Sequence, residues 1–274
     1  MTPVAHQAAH QAAHQAADLL WRHRCAGTTI DGLPDGLRPA DAAAGHAIQA
    51  ELPSISGLAV VGWKIAATSA AGQAHINVSG PLPGRILSRF VHAVGKAVSL
   101  SSNRMRVVEP EFAFRLGADL PPQAAPRTQT EVLAAVASLH PAFEVPDSRY
   151  TNFTRAGEAQ LLADDACCGE FVFGAAAPEG WRDEDLSAAQ VLATVQDAAG
   201  AVRTTRKGVG SAALGDPRVA LTWLVNALSA RGITLAAGMT VSTGTCMVPL
   251  AIAPGDRVSA DYGRFGQIEL RFAA

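Results

Sequence analysis

From Gly57 to the end of the chain, short apolar runs alternate with glycine and proline, and this pattern restricts the fold more than any other feature. Runs of about four to eight apolar or alternating residues between such turns are typical of β-strands. They are Leu58–Ile65, Arg106–Leu116, His140–Val145, Glu170–Gly174, Met239–Ser242, Arg257–Asp261 and Gln267–Phe272, with a hairpin at Leu192–Arg203. Residues 57–274 are therefore predicted to be rich in β-structure.

Residues 1–56 are predicted to be helical instead. A His-Gln-Ala-Ala unit repeats over residues 6–17, so a helix would align His6, His10 and His14 on one face. They could bind a metal there, but a low-complexity start to the first helix is the favoured interpretation. A second helix is predicted from Pro39 to about Leu52.

Two further helices are predicted among the strands. One runs from Thr130 to Leu139, capped by Thr128 or Thr130, and the other is opened by Asp216 and Pro217 and ends before Gly232. A helical start followed by many strands indicates an α+β fold. We expect a small helical region over 1–56 and a larger second domain over 57–274.

The composition excludes several classes of protein. Apolar residues make up 49% of the chain and the net charge is −2, so the chain can bury a core and has no basic excess for nucleic acid. The four cysteines form no CxxC pair, which predicts free thiols in a reducing cytoplasm. No secretory signal is recognised, and the uncharged stretch 232–255 holds enough glycine and proline to favour strands over a membrane span.

Glu109 and Glu111 are the most informative acidic residues. In a strand they share one face, while Val108 and Phe112 turn to the other. Two adjacent carboxylates can converge on a divalent cation, and Glu144, in an apolar run, offers a third; such a set suits Mg²⁺ or Mn²⁺. From spacing alone the favoured interpretation is that the pair is solvated and Glu144 pairs with an arginine such as Arg149, because Glu-x-Glu is a weak pattern.

Lys64 ends the apolar run that begins at Leu58. A lysine there is either solvated or buried, and only a buried lysine with a lowered pKa would exchange protons near neutral pH.

Together, these segments resemble the 2-hydroxypentadienoate hydratase and 4-oxalocrotonate decarboxylase group of the fumarylacetoacetate hydrolase superfamily. The resemblance spans about residues 62–272. Its motifs, in order, are Gly62-Trp63-Lys64-Ile65, Glu109-Pro110-Glu111, Phe143-Glu144-Val145-Pro146-Asp147-Ser148-Arg149, Ala163-Asp164-Asp165-Ala166-Cys167-Cys168-Gly169, Gly208-Val209-Gly210-Ser211, Leu214-Gly215-Asp216-Pro217 and Ser242-Thr243-Gly244.

The resemblance implies a mixed β-sandwich roll with a smaller helical N-terminal part. It implies that Glu109, Glu111 and Glu144 hold Mg²⁺ or Mn²⁺, which chelates a 2-keto acid, and that Lys64 is the proton shuttle with a depressed pKa. It also implies a homo-oligomer in the cytoplasm that takes a small 2-keto or 2-hydroxydienoic acid, with neither nucleic acid nor membrane as partner.

Two positions depart from the group's pattern. Ser79, in Asn77-Val78-Ser79-Gly80-Pro81, stands where hydratases of the group usually have an aspartate, and Cys167 stands where they have a serine. Both positions lie where the substrate would be recognised, so the departures concern the substrate more than the metal. Cys167 is either a substrate contact or an inert buried residue.

The favoured function is a metal-dependent hydratase that converts a 2-hydroxy-2,4-dienoate to a 4-hydroxy-2-oxo acid in aromatic-compound degradation. The alternative is a decarboxylase of the 4-oxalocrotonate type, which would need an arginine such as Arg85, Arg104 or Arg149 for the second carboxylate. Hydrolysis of a carbon–carbon bond ranks lower because no histidine lies in a matching motif. A noncatalytic metal-binding or assembly protein with the same fold is the remaining interpretation.

Overall fold

Helices dominate the start of the chain and strands dominate the rest. The computed structural model describes the backbone of residues 3–274 and the side chains of residues 7–274. The helices in this part are α1 (Pro3–Ala26), α2 (Ala42–Ala50), α3 (Leu52–Ser56), α4 (Ala70–Ile76), α5 (Gln129–Ala134), α6 (Glu158–Ala163) and α7 (Pro217–Ser229). The strands are β1 (Val60–Ala66), β2 (Leu82–Leu87), β3 (Val91–His92), β4 (Ala97–Val98), β5 (Val107–Leu116), β6 (Val136–Val145), β7 (Glu170–Phe173), β8 (Gln190–Gln196), β9 (Val202–Val209), β10 (Thr240–Thr245), β11 (Leu250–Ala251), β12 (Arg257–Asp261) and β13 (Gln267–Phe272). The predicted α+β class is confirmed.

The strands form two mixed sheets that share one hydrophobic core. The larger sheet has the order β2-β1-β10-β5-β6-β7-β3, with β11 paired to one end of β5, and the smaller has the order β4-β13-β12-β8-β9. Phe112 and Phe143 of the larger sheet lie in the same buried cluster as Val195 and Val258 of the smaller one. This arrangement agrees with the predicted mixed β-sandwich.

Helix α7 begins where the sequence predicts it. The Asp216 carboxylate accepts a hydrogen bond from the Arg218 backbone N–H, which satisfies one of the free donors of the first turn. The buried residues Leu221, Leu224 and Leu228 pack into the main core.

Two other predicted helices have different bounds. The second begins at Ala42 rather than Pro39, because the Asp41 side chain caps it, and α3 follows it as a separate short helix. Helix α5 ends at Ala134, five residues before the predicted Leu139, although Thr128 caps it as expected. The chain leaves the helix there because Val136 already pairs with Leu116 in the larger sheet.

The His-Gln-Ala-Ala repeat extends α1, as the favoured interpretation holds. His10 and His14 both contact the Glu51 carboxylate, at 3.3 Å and 3.0 Å. The side chain of His6 lies outside the described residues. Ala16, Ala17 and Leu20 of α1 are buried against helix α2 and neighbouring loops.

The remaining expectations about the chain concern its membrane contacts and thiols. None of the helices between residues 3 and 274 combines the length and the apolar character that crossing a bilayer requires. The stretch 232–255 instead contributes β10 and β11. All four cysteines are free, with Cys25 exposed and the other three buried. The boundary between residues 56 and 57 coincides with the end of α3, and the division into two domains stays a prediction.

Candidate metal centre and active site

Four adjacent strands of the larger sheet present polar side chains on one face. Lys64 on β1 lies beside Ser242 on β10, and Glu109 on β5 lies directly opposite Glu144 on β6. Because side chains alternate along a strand, Glu111 stands on the same face as Glu109. The apolar residues that alternate with these polar residues along the strands, such as Phe112, face the main core.

The three glutamates predicted as metal ligands come together on this face. One carboxylate oxygen of each lies within 4.8 Å of one oxygen of the other two. Glu111 is 0% and Glu144 1% exposed, while Glu109 is partly exposed. The alternative in which Glu109 and Glu111 lie on a solvated face is therefore wrong for Glu111. The arginine suggested as a partner of Glu144, Arg149, pairs with Asp164 instead.

Lys64 is the cation nearest to this cluster. It is 2% exposed, and its Nζ lies 3.2 Å from Glu144 Oε1. Burial alone would lower the pKa of Lys64. Glu144, the neighbouring cysteines and Glu109 raise it by a larger amount, so the net pKa lies above the ordinary value. The raised pKa belongs to the metal-free protein, in which the carboxylate charge outweighs desolvation; the depressed pKa expected beside a bound cation stays a prediction. In this state Lys64 is a firmly held ammonium.

The pKa values of the three carboxyl groups are also raised, because burial disfavours their charged form. Burial raises the pKa of Glu109 to about 7, with a contribution from Glu144 and partial compensation by Lys64. Burial, Glu144 and Glu109 raise the pKa of Glu111, and burial raises that of Glu144. Three buried carboxyls share one ammonium, so the cluster favours a further positive charge.

The residues fit a divalent cation. Glu111 Oε1 is buried without a hydrogen-bond partner, whereas Glu144 Oε1 is paired with Lys64. Leaving a buried acceptor unpaired is costly, and a cation would satisfy Glu111 Oε1. An all-oxygen donor set with carboxylate charge is the one that Mg²⁺ or Mn²⁺ prefers.

Ser242 and Gly244 orient Glu111, and sequence reasoning assigned neither a role. The Ser242 hydroxyl donates to Glu111 Oε2 at 2.5 Å, and the Gly244 N–H donates to the same oxygen at 2.9 Å. Both bonds engage Oε2 and leave Oε1 directed at the cluster. Their only signal in the sequence is the Ser242-Thr243-Gly244 motif, which by itself does not reveal a partner 131 residues away.

A strained turn carries Cys167 to the edge of this site. Asp165, Ala166 and Cys167 have φ angles of 56°, 53° and 58°, a left-handed conformation that residues other than glycine rarely adopt in succession. Asp165 Oδ1 accepts hydrogen bonds from the Arg85 backbone N–H and the Gln49 side chain, at 2.7 Å and 3.1 Å, which hold the turn. Strain of this kind clusters at functional sites.

Gly84 lies between this turn and the Lys64 side chain. A Cβ at Gly84 would lie 2.6 Å from Asp165 O, 3.1 Å from Lys64 Cγ and 3.2 Å from Cys168 Cβ, so a side chain there would push the wall away from the lysine. Burial raises the pKa of Cys167 to about 12, so its thiol stays protonated. Cys167 belongs to an apolar cluster with Leu82.

Ser79 lies apart from these groups. It is exposed, and both its hydroxyl and its backbone N–H donate to Glu158 Oε2, at 2.9 Å and 3.3 Å. Its described contacts thus belong to the surface between α4 and α6.

Known proteins resemble the chain over most of its length. No family model matches it. It is 33% identical to a 2-hydroxyhexa-2,4-dienoate hydratase of Comamonas testosteroni, over 81% of each chain. It is 32% identical to a 4-oxalocrotonate decarboxylase of Pseudomonas putida, over 78% of this chain and 77% of the other.

The fold agrees with these relatives. The structure of a 4-oxalocrotonate decarboxylase from Pseudomonas putida G7, complexed with magnesium and adipate, superimposes with a TM-score of 0.84 at 26% identity, and covers 95% of this chain and 97% of that one. The sequence identity, the shared fold and the acid cluster all lead to one assignment. The chain belongs to the family of dienoate hydratases and 4-oxalocrotonate decarboxylases.

Proposed function

We propose that the protein is a metal-dependent hydratase that converts a 2-hydroxy-2,4-dienoate, through its keto tautomer, to a 4-hydroxy-2-oxo acid in aromatic-compound degradation. The observation that carries the proposal is the buried cluster of three glutamates with Lys64 at its side. Relatives with hydratase names support it.

In this proposal Glu109, Glu111 and Glu144 hold Mg²⁺ or Mn²⁺. When bound, the metal would polarise the carboxylate and 2-oxo oxygens of the substrate and stabilise enolate-like charge. Glu111 is oriented for this task by Ser242 and Gly244.

Lys64 is proposed as the proton shuttle. The reaction moves one proton off the 2-hydroxyl oxygen and others onto the carbon chain, so it needs a group that can give and take protons out of contact with water. Lys64 is buried and carries its proton on Nζ, next to Glu144. The charges of Glu144 and Glu109 raise the pKa of Lys64, and a cation held by these glutamates would offset that effect. The ammonium could then donate to a carbon of the bound substrate and recover a proton from the 2-hydroxyl group or from the added water.

Cys167 and Ser79 are proposed as substrate contacts. Cys167 lies in an apolar cluster with Leu82 and Ala166, which suits a hydrocarbon tail rather than a charged one. Ser79 is exposed and bonded to Glu158, so its role requires a movement of the segment around it on substrate binding.

The alternative function is decarboxylation of a 4-oxalocrotonate-type acid, favoured by the likeness to decarboxylases. The arginines that would receive the second carboxylate are engaged elsewhere. Arg85 lies over the Trp63 ring, at 4.5 Å, and Trp63 faces the opposite side of β1 from Lys64. Arg149 is paired with Asp164, and Arg104 donates to Gly27 O. These contacts support the hydratase over the decarboxylase.

The test is NMR product analysis of the Mg²⁺-loaded protein, given 2-hydroxypenta-2,4-dienoate and 4-oxalocrotonate in separate tubes with EDTA controls. We expect a new hydroxylated carbon from the dienoate that is lost with EDTA. Metal-dependent release of carbon dioxide from oxalocrotonate, without hydration of the dienoate, would move the assignment to the decarboxylase. Tight metal binding without turnover of either would indicate a noncatalytic protein. Homo-oligomeric assembly and a cytoplasmic location stay predictions.

A further inference from the structure

A second concave site lies where the end of α1 meets the segments around β3 and β4. It is a cavity of about 560 Å³. Its charged lining consists of Arg24, Arg89, His92, Arg104 and Glu170, and three serines add hydroxyl groups. The proposed hydratase reaction uses none of these residues.

This cavity is on the other side of the larger sheet from the metal cluster. Glu170 pairs with Val145 in the β6–β7 ladder, whereas Glu144 pairs with Phe171. Neighbouring residues of a strand face opposite sides, so Glu170 and Glu144 point away from each other. The cavity is therefore separate from the site described above, yet only the thickness of one sheet away from it.

The charges in the cavity do not balance. The single lining carboxylate, Glu170, is occupied by His92, whose Nε2 lies 2.6 Å from Glu170 Oε2. Arg104 donates to Gly27 O and Arg24 to Gly169 O, both neutral acceptors. Arg89 is exposed and forms no ion pair with any residue that the structure describes. Up to three guanidinium charges thus face a concave surface in a chain of net charge −2.

Arg24 is held rigidly at the inner wall. Its guanidinium carbon lies 3.7 Å from the centre of the Phe90 ring, and its Nη2 donates to Gly169 O at 3.2 Å. Burial and the charge of Arg149 lower the pKa of Arg24 by more than Cys168, Asp165 and Glu170 raise it, so a further anion would relieve the cost of burying its charge. A fixed, poorly hydrated guanidinium is well suited to bind a carboxylate or phosphate group.

Gly169 connects this wall to the metal cluster. A Cβ at Gly169 would lie 1.9 Å from Val145 O, so its backbone is pressed against β6 next to Glu144. The backbone N–H of Gly169 also interacts with the Glu144 carboxylate. A shift of Arg24 that pulls on Gly169 O would therefore press on Val145, the neighbour of the predicted metal ligand Glu144.

We propose that the cavity binds a small anion carrying two or more negative charges, and that its occupancy changes the metal affinity of the glutamate cluster through Arg24 and Gly169. Dicarboxylates and phosphates share the chemistry that the arginines recognise. Arg89 has no ion-pair partner among the described residues, so the bound anion would neutralise its charge.

The first experiment is calorimetric titration of the full-length, EDTA-treated protein with inorganic phosphate and with succinate. EDTA removes the metal that could otherwise hold either anion at the glutamate cluster. The test variant is Arg89→Gln, and the matched control is Arg115→Gln, which removes an exposed arginine from β5. We expect one binding site, weakened about tenfold or more by Arg89→Gln and unchanged by the control, because a charge-assisted hydrogen bond is lost.

Comparing the affinities of the two probes distinguishes a phosphorylated ligand from a dicarboxylate. Tighter binding of phosphate would indicate a phosphorylated ligand, and tighter binding of succinate a dicarboxylate. Equal, weak binding to wild type and Arg89→Gln would overturn the site. So would the absence of binding together with a change in molar mass of Arg89→Gln by light scattering, because the cavity would then be a contact between copies of the chain.

The second experiment measures the coupling. Mg²⁺ affinity is determined with and without the tighter probe, and Arg89→Gln at the same anion concentration controls for Mg²⁺ bound to the anion in solution. Coupling between sites is reciprocal, so we expect a change of about fivefold in wild type that Arg89→Gln abolishes. An unchanged Mg²⁺ affinity would overturn the coupling. Both readouts are binding constants, so they stand independently of whether the dienoate is hydrated.

Discussion

Lys64 Nζ and Glu144 Oε1 lie 3.2 Å apart on one face of the larger sheet, although β10 and β5 separate their strands. Both side chains are almost completely buried. Lys64 thereby supplies the one ammonium that faces three carboxyl groups. The pair links stability to chemistry, since the charge that holds the metal-free cluster together is also the proposed proton carrier.

Removing that ammonium should destabilise the metal-free protein. Lys64→Met leaves Glu144 buried without a countercharge, which we expect to lower the free energy of unfolding by about 3 kcal/mol in EDTA. The double variant Lys64→Met, Glu144→Gln should recover most of the loss, because the uncompensated charge is gone. Urea unfolding monitored by circular dichroism measures both. A double variant as unstable as the single one would contradict the ion pair as the cause.

The glutamates should determine metal binding. Glu109→Gln together with Glu111→Gln removes two charged ligands, and we expect Mg²⁺ binding to become undetectable by calorimetry and turnover to be lost. Glu269→Gln, a change at an exposed acid on β13, is the matched control. Unchanged metal binding and turnover in the double variant would remove both the ligand assignment and the proposed function.

Orientation of Glu111 should also matter. Ser242→Ala deletes the hydroxyl that donates to Glu111 Oε2. Partners of metal ligands typically contribute about 10–100-fold in metal affinity, so we expect Mg²⁺ binding to weaken by about tenfold. Ser259→Ala, at an exposed serine on β12, should leave it unchanged. An equal Mg²⁺ affinity in the two variants would show that the Gly244 N–H orients Glu111 alone.

Metal affinity should fall as the pH is lowered. Burial raises the pKa of Glu109 to about 7, so below this pH the metal-free cluster holds a proton that the metal must displace. Mg²⁺ should therefore bind more weakly at pH 6 than at pH 8, by up to about tenfold per pH unit for each proton released. Calorimetry in buffers with different ionisation enthalpies measures the affinity and the protons released. Proton-free binding with one affinity from pH 6 to pH 8 would rule this out.

Cysteine reactivity should separate the exposed thiol from the buried ones. Burial raises the pKa of Cys167 to about 12, and Cys168 and Cys246 are also buried, while Cys25 is exposed. Because the thiolate is the reactive form, iodoacetamide at pH 8 should alkylate Cys25 in the native protein and all four thiols after unfolding. Mass spectrometry reports the number and positions. Rapid native labelling of Cys167 would mean that its wall opens to solvent.

Local patterns were sufficient to predict the strand faces but not the contacts between distant segments. The alternation around Glu109 and Glu111 is a property of one strand, so the shared face follows from the sequence. The bond from Ser242 to Glu111 depends on β10 pairing with β5, which no local pattern reveals. The end of α5 was misjudged for the same reason, since pairing of Val136 with Leu116 overrides the helical preference of the segment.

The pKa of Lys64 in the metal-free protein could not be predicted from the sequence for a different reason. The sequence indicates burial near an apolar wall, which does lower the pKa. The larger effect is the proximity of Glu144, which depends on the order of the strands in the larger sheet. Sequence alone shows which groups are present, but the sign of a pKa shift depends on which of them meet.

The hydrogen bond from the Gln49 side chain to Asp165 connects the N-terminal helices to the wall of the candidate site. Gln49 on α2 is completely buried, and its amide also donates to Pro83 O at 2.7 Å, next to the glycine that borders Lys64. Residues 57–274 expressed alone would lose the brace on the left-handed turn that carries Cys167. If Cys167 contacts the substrate as proposed, exchanging the N-terminal segment between relatives would alter substrate selectivity, even though this segment contributes none of the proposed metal ligands.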